Sequence, residues 1–343
     1  MHTKTILLTG AAGVIGRAVA DELRAHRVIG LVHNDTDVPG LAETLPGDLS
    51  APRLGLDSAT WDRLAAEIDA IVHSGALTTW GLPWPEYQAI NVDGTRRVIE
   101  LAERAGAPVH LVSTCFVHAI ELGRLDDLGP DNVVRPYIRS KLDSELLLAA
   151  SGVPHNVYRP TNLVGDSTTG ASSRPQIVQT MSDWFCRGKA PFFPAHDGNL
   201  VDVVPLDVTA VAIARGVLAG EVGHTRWLTY GPAAMSVADA QDVLVDHSRR
   251  VGREVTRVPI VDPRRGLPVP LAEVPATSRA FLKVLIDVSE VTYASGGVLP
   301  TSLPELGDRY GVPMPSDRDA YRASLAYWAA ERQTARTAMK EAV

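Results

Sequence analysis

A chain of 343 residues, 45% of them hydrophobic, can bury a large core as one big domain or two closely joined ones. Its formal net charge of −7, with the basic residues scattered, leaves no electrostatic footprint for nucleic acid or anionic lipid and points to a small-molecule partner. No apolar run reaches the roughly 18 residues a membrane span needs, and two cysteines, Cys115 and Cys186, form neither a disulfide framework nor a metal quartet, so no metal site is expected and a reducing cytoplasm is the expected location.

The first apolar run, residues 5–8, is too short for a signal-peptide core and flows into a glycine motif, so the chain is expected to begin at its first strand. Strands expected at 5–8, 27–32, 70–73, 109–112 and 156–159 alternate with helices expected at 14–25, 86–105 and 137–150. That alternation predicts an α/β fold over residues 1–165, a doubly wound parallel Rossmann sheet with helices on both faces. From 166 to 343 the pattern loosens, with Gly, Ser and Thr at 165–174 and proline-punctuated stretches at 192–196 and 263–275. This half is expected to be a smaller mixed substrate-binding part over the sheet's carboxyl edge, with some segments returning to the sheet. A periodic, charged segment at 318–339 is expected to be the closing helix.

Thr9-Gly10-Ala11-Ala12-Gly13-Val14-Ile15-Gly16-Arg17 follows a strand and opens a helix, the context a dinucleotide fingerprint requires. Gly10 permits the tight turn, Gly13 lets backbone approach a pyrophosphate, Gly16 lets helix pack on strand, and the helix start at Val14 and Ile15 meets the phosphate charge. The second strand ends in His33-Asn34 without the carboxylate that would bind a ribose 2′-hydroxyl, while Arg17 can reach a 2′-phosphate. NADP(H) is therefore preferred and NAD(H) remains possible, the preference reversing if Asp35 bends inward. Gly47-Asp48-Leu49-Ser50, expected after a second helix, offers Asp48 to an adenine amino group and Leu49 to the ring face, or simply a turn.

Tyr137 and Lys141 stand four residues apart, on one face of the expected helix. A phenol is a poor acid-base group at neutral pH, but a neighbouring ammonium stabilises the phenolate and lowers its pKa. The strand at 109–112 ends in Ser113-Thr114, which puts a hydroxyl at the carboxyl edge of the sheet where open α/β folds bind ligands. Upstream, Ser74-Gly75-Ala76 are small enough for a nicotinamide ribose to approach, and downstream Arg159-Pro160-Thr161-Asn162 brings backbone and amide groups to the same crevice.

In this order these motifs, with Asn91-Val92-Asp93-Gly94-Thr95 and Asp202-Val203-Val204-Pro205-Leu206-Asp207, resemble the extended short-chain dehydrogenase/reductase family over most of the chain. The resemblance implies that Tyr137 is the general acid/base, that Lys141 tunes it and binds the nicotinamide ribose, that Thr114 aligns the substrate oxygen, and that Asn91 supports the group. The stretch from His73 through Trp80 to Thr95, the loop Gly165-Asp166-Ser167-Thr168-Thr169-Gly170 and the Asp202 motif look like the branch of thioester reductases and fatty acyl-CoA reductases. That implies a carbonyl-level substrate, an aldehyde or an acyl group on a carrier or CoA. Sugar-nucleotide dehydratases of the family carry an Asp-Glu pair after the active hydroxyl residue; Cys115-Phe116 stands there, which disfavours dehydration, and Cys115 reads as a small buried hydrophobe. Trp80, Trp84, Trp184, Phe185, Phe192 and Phe193 either fill core or line a pocket for an apolar substrate portion, and Arg174, Arg187 and Lys189 are either solvated or hold a phosphate. The alternatives are a sugar-nucleotide epimerase or ketoreductase and, in another class, a non-catalytic NADP-binding sensor. Monomer and homodimer are both open.

Overall fold

A computed structural model describes residues 3–34 and 37–341. Strand β1 (Thr5–Thr9) shows why the sheet is central: Ile6 and Leu8 face one hydrophobic layer and Leu7 the other, all fully buried. Such two-sided burial is the mark of a parallel sheet covered on both faces. Helix α1 (Val14–Glu22) follows, then β2 (Arg27–Val32), β3 (Glu43–Pro46), α2 (Ser58–Glu67), β4 (Ala70–His73), the one-turn α3 (Trp84–Tyr87), α4 (Asp93–Ala105), β5 (Val109–Val112), the one-turn α5 (His118–Glu121), α6 (Arg135–Ser151) and β6 (His155–Pro160). The second half supplies β7 (Asn162–Val164), α7 (Ile177–Phe185), β8 (Phe193–Pro194), β9 (Leu200–Val201), β10 (Val203–Pro205), α8 (Leu206–Ala219), β11 (Thr225–Leu228), β12 (Met235–Ser236), α9 (Val237–Arg250), β13 (Ile260–Val261), α10 (Ala276–Ala294), α11 (Leu303–Tyr310) and α12 (Asp317–Glu341).

The seven-stranded parallel sheet has the order β11-β6-β5-β4-β1-β2-β3. The order reverses between β1 and β4, so the ends of these two strands, Thr9-Gly10 and His73-Ser74, flank the switch point where open α/β sheets bind ligands. One apolar layer joins α1 and α8 to the sheet through Val19, Ala20, Ile213 and Val217; the other joins α2, α4 and α6 through Leu64, Val98 and Leu148. A third cluster, with Phe185, Leu244, Leu282 and Tyr321, gathers α7, α9, α10 and α12 over the carboxyl edge.

Three expectations change. No helix stands between β2 and Gly47 among the described residues: Pro39-Gly40 interrupts the segment, and β3 enters the sheet instead, although its half-exposed Glu43-Thr44-Leu45-Pro46 carries no apolar run. Strand β11, likewise unread, adds the opposite edge. The helix expected over 86–105 is broken, its middle being a π-helical turn over Gln88–Val92. Asp35, the alternative ribose ligand, lies outside the described residues.

Candidate active site

Gly10 has φ +67°, and a Cβ there would lie 2.6 Å from the Gly75 backbone; at Gly16 it would lie 2.1 Å from the Gly10 carbonyl. The loop can close onto β4 and α1 only because these positions lack side chains. Gly13 caps α1 without any side-chain hydrogen bond, so the N–H groups of the first turn are left to a ligand. Gly10, Gly13, Val14, Ile15, His33, Asp48, Leu49, Ser74, Gly75 and Ala76 all line one groove. This glycine-backed, uncapped lining fits a dinucleotide.

Gly16 packs α1 against the loop and does not line the groove. Arg17 does not line it either: its guanidinium donates to the carbonyls of Ala12 and Asp37, both at 3.2 Å. The Asp48 carboxylate accepts from the N–H and hydroxyl of Ser50, both at 2.7 Å, which holds its pKa below the usual carboxylate range. Asn34, Leu77, Thr78, Ile90, Arg174 and Gln176 also line the groove. Arg174 was legible only as a cation in the right region, and the others carry no local sequence signal.

The walls of the groove are cross-braced. The Thr95 hydroxyl donates to the Asn91 carbonyl (2.6 Å), so it accepts from His73 Nε2 (3.1 Å), leaving Nδ1 to accept from Thr9 (2.7 Å), whose oxygen takes the Gly75 N–H (3.1 Å). This directed chain assigns one tautomer to a neutral ring, and burial with the nearby Lys141 charge pushes the His73 pKa down to about 3. Asn91, on the π turn, ties in the next element. Its Oδ1 accepts from Leu77 N–H (2.7 Å), its Nδ2 donates to Ser140 Oγ (2.8 Å), and its carbonyl accepts from Ser144 (2.9 Å).

Ser140 and Ser144 lie on α6, whose buried face also carries Tyr137 and Lys141. The Tyr137 phenol stands near Thr114; burial pushes its pKa up, and the Thr114 hydroxyl pulls the other way. The Lys141 ammonium donates to the Val112 carbonyl (2.6 Å), and burial lowers its pKa to about 8. Ser113 Oγ, beside Thr114, is buried without a hydrogen-bond partner among the described residues. Cys115 is fully buried with its thiol pKa pushed up, the state of an inert core residue.

Pro160 is buried in β6 and lines neither space, while Asn162 lines the neighbouring cavity rather than the groove. Arg159 is taken by Glu145 (3.1 and 2.6 Å) and Glu121 (2.6 Å) and stacks 4.5 Å from the Trp227 ring centre.

The cavity is walled by Trp80, Phe116, Met181, Phe185, Phe193, Val288 and other apolar side chains. Trp184 and Phe192 instead fill core, and Trp84 is partly exposed. Among the described residues lining it Asp202 alone is charged; its carboxylate accepts from the N–H groups of Tyr230 (3.0 Å) and Gly231 (2.8 Å), and burial pushes its pKa up to about 7. Groove and cavity share a seam: Leu163 and Gln176 line the groove while their chain neighbours Asn162 and Ile177 line the cavity. Trp80 and Phe116, which line the cavity, belong to the same apolar cluster as Tyr137, while Thr114, Tyr137 and Lys141 themselves line neither space.

This fold and site define an oxidoreductase of the extended short-chain dehydrogenase/reductase type, with an NAD(P)-binding domain. Residues 21–213 match the family described as male sterility protein, and the chain belongs to that family. It is 34% identical over 209 residues to a linear gramicidin synthase of Brevibacillus parabrevis, covering 57% of this chain and 4% of that protein. It is 30% identical over 314 residues to the carboxylic acid reductase of Segniliparus rugosus, covering 75% and 26%. The chain thus spans a small part of these relatives. Among solved structures, the terminal R domain of the myxalamid PKS-NRPS biosynthetic pathway matches with TM-score 0.71 and 25% identity, covering 96% of this chain and 92% of that one. WbmH of Bordetella bronchiseptica, in complex with NAD+, shares the fold at TM-score 0.65 and 19% identity over 96% of this chain and 99% of the other. Among the described residues no helix is long and apolar enough to cross a membrane and no cluster of His, Cys, Asp or Glu could hold a metal ion.

Proposed function

We propose that this protein is an NADP(H)-dependent reductase of acyl thioesters, with Thr114, Tyr137 and Lys141 as its catalytic group. The observation that carries the reading is the seam: an apolar cavity without a lining cation among the described residues adjoins the dinucleotide groove, and two of its wall residues, Trp80 and Phe116, share an apolar cluster with Tyr137. A sugar diphosphate would enter that cavity with no positive charge to meet it, whereas an acyl chain gains from burial there, about 0.8 kcal/mol per methylene. The R domains and the carboxylic acid reductase among its relatives support the same choice. The preference for NADP(H) rests on His33-Asn34 at the end of β2, where a carboxylate would select NAD(H).

A nicotinamide bound in the groove supplies the hydride. The Thr114 hydroxyl and the Tyr137 phenol hold the thioester oxygen, and Tyr137 delivers a proton to it as negative charge develops. Lys141 offers its ammonium to the ribose and to the phenolate left behind. Collapse of the resulting hemithioacetal breaks the C–S bond, with the hydroxyl proton passing to the departing sulfur, and yields aldehyde and thiol. Incubation with NADPH and a panel of acyl thioesters, aldehydes and nucleotide sugars tests this. Loss of the reduced-nicotinamide absorbance with thioesters is expected; loss with aldehydes but never with thioesters would overturn the reading.

A further inference from the structure

We infer that Arg174 is a phosphate-binding residue that reaches from the second half of the chain into the dinucleotide groove. It is the sole Lys or Arg among the described residues lining that groove, and the sole acid there, Asp48, is already occupied by Ser50. Its guanidinium is exposed and makes no hydrogen bond or ion pair with the described residues. Its backbone, by contrast, is held: the Arg174 carbonyl accepts from Ser172 Oγ and Gln176 Nε2, both at 3.1 Å. Gln176 and Gln179 form a capping box on α7, and Gln179 donates to Ser324 on α12 at 2.7 Å. A fixed base under a free cation is the arrangement that binds an anion without first ordering a loop.

The cation expected for this task from the sequence, Arg17, is engaged by two backbone carbonyls and lies outside the lining. Arg174 stands two residues from the seam, where Gln176 faces the groove and Ile177 the cavity. Two ligands bring a phosphate to that place: the dinucleotide, and a thioester carried on phosphopantetheine. The second source rests on the thioester reading; the first needs only the dinucleotide groove.

The test is Arg174→Gln against Arg174→Lys in the full chain, with equal melting temperatures as the check on folding. In one arm, nicotinamide fluorescence gives the Kd for NADPH and NADH. In the other, with NADP+ saturating, calorimetry compares 4′-phosphopantetheine with pantetheine, a pair that differs only in the phosphate and whose binding does not depend on turnover. Loss of one charge-assisted hydrogen-bonded contact is expected to weaken binding about 10-fold in one arm, with partial recovery in Arg174→Lys. A change in Kd for the nucleotides assigns the dinucleotide; a lost preference for phosphopantetheine assigns the carrier arm. Both arms unchanged in Arg174→Gln would overturn the inference, whatever the thioester panel shows.

Discussion

The groove and the cavity are neighbours built by opposite means. The groove is made of backbone: positions without side chains, an uncapped helix start and hydroxyls that brace one strand end to the next. Most of its parts come from the strand ends and turns of the first half of the chain, each answering a local backbone demand. The cavity is made of side chains from α7, α9, α10 and α12 and the short strands between them, and its shape is the sum of many apolar surfaces. The first kind of site recognises a constant ligand, and the second can be retuned without touching the chemistry. Tyr137 lines neither and shares an apolar cluster with the cavity residues Trp80 and Phe116.

Substitutions can separate the two. Tyr137→Phe removes only the phenolic hydroxyl, so turnover is expected to fall about 10²- to 10⁴-fold with NADPH binding nearly unchanged; single-turnover kinetics and fluorescence titration measure the two. Gly10→Ala strikes the groove alone. The left-handed backbone at φ +67° costs roughly 1–2 kcal/mol for a residue with a side chain, before the approach to Gly75 is relieved. Loss of nucleotide binding and a lower denaturation midpoint are expected, and a fully functional variant would break the contrast. Met181→Trp strikes the cavity alone: about a 10-fold rise in KM is expected for long acyl chains, with short chains and nucleotide Kd unaffected. Equal effects on all chain lengths would show that the cavity does not hold the chain.

The last effect is electrostatic. Burial raises the Asp202 pKa from 3.8 to about 7, so the folded state holds this proton more tightly than the unfolded one. Its contribution to stability is full below about pH 4 and is lost as pH rises through about 7. Melting temperature is expected to decline over that window, and Asp202→Asn to flatten the decline; an unchanged slope would place the titration elsewhere.

The same contrast explains what was legible in the sequence. Gly10, Gly13, Ser74 and Gly75 could be placed because each answers a local demand of strand, turn and helix, and the strands at 70–73 and 109–112 were read to the residue. Strand β3 could not, because half-exposed Glu43 and Pro46 resemble a loop. Nor could the cavity: Met181, Val288 and Tyr321 meet only after the chain has folded, and an aromatic such as Trp184, set in the core, has the same neighbours in sequence as Phe185, set in the wall. Arg17 misled for a related reason, since helix position gave its reach but not the carbonyls that hold it.

The π turn over Gln88–Val92 bears on how this chain tolerates change in length. A π turn closes i→i+5 hydrogen bonds and so holds one residue more than the α turn it replaces. Deleting one residue from it would let the helix run on regularly with its flanks nearly in place, at the cost of the wide turn that presents Asn91 to Leu77, Ser140 and Ser144. A single-residue deletion in 88–92 is therefore expected to spare the fold while loosening the tie between the 74–80 wall and α6.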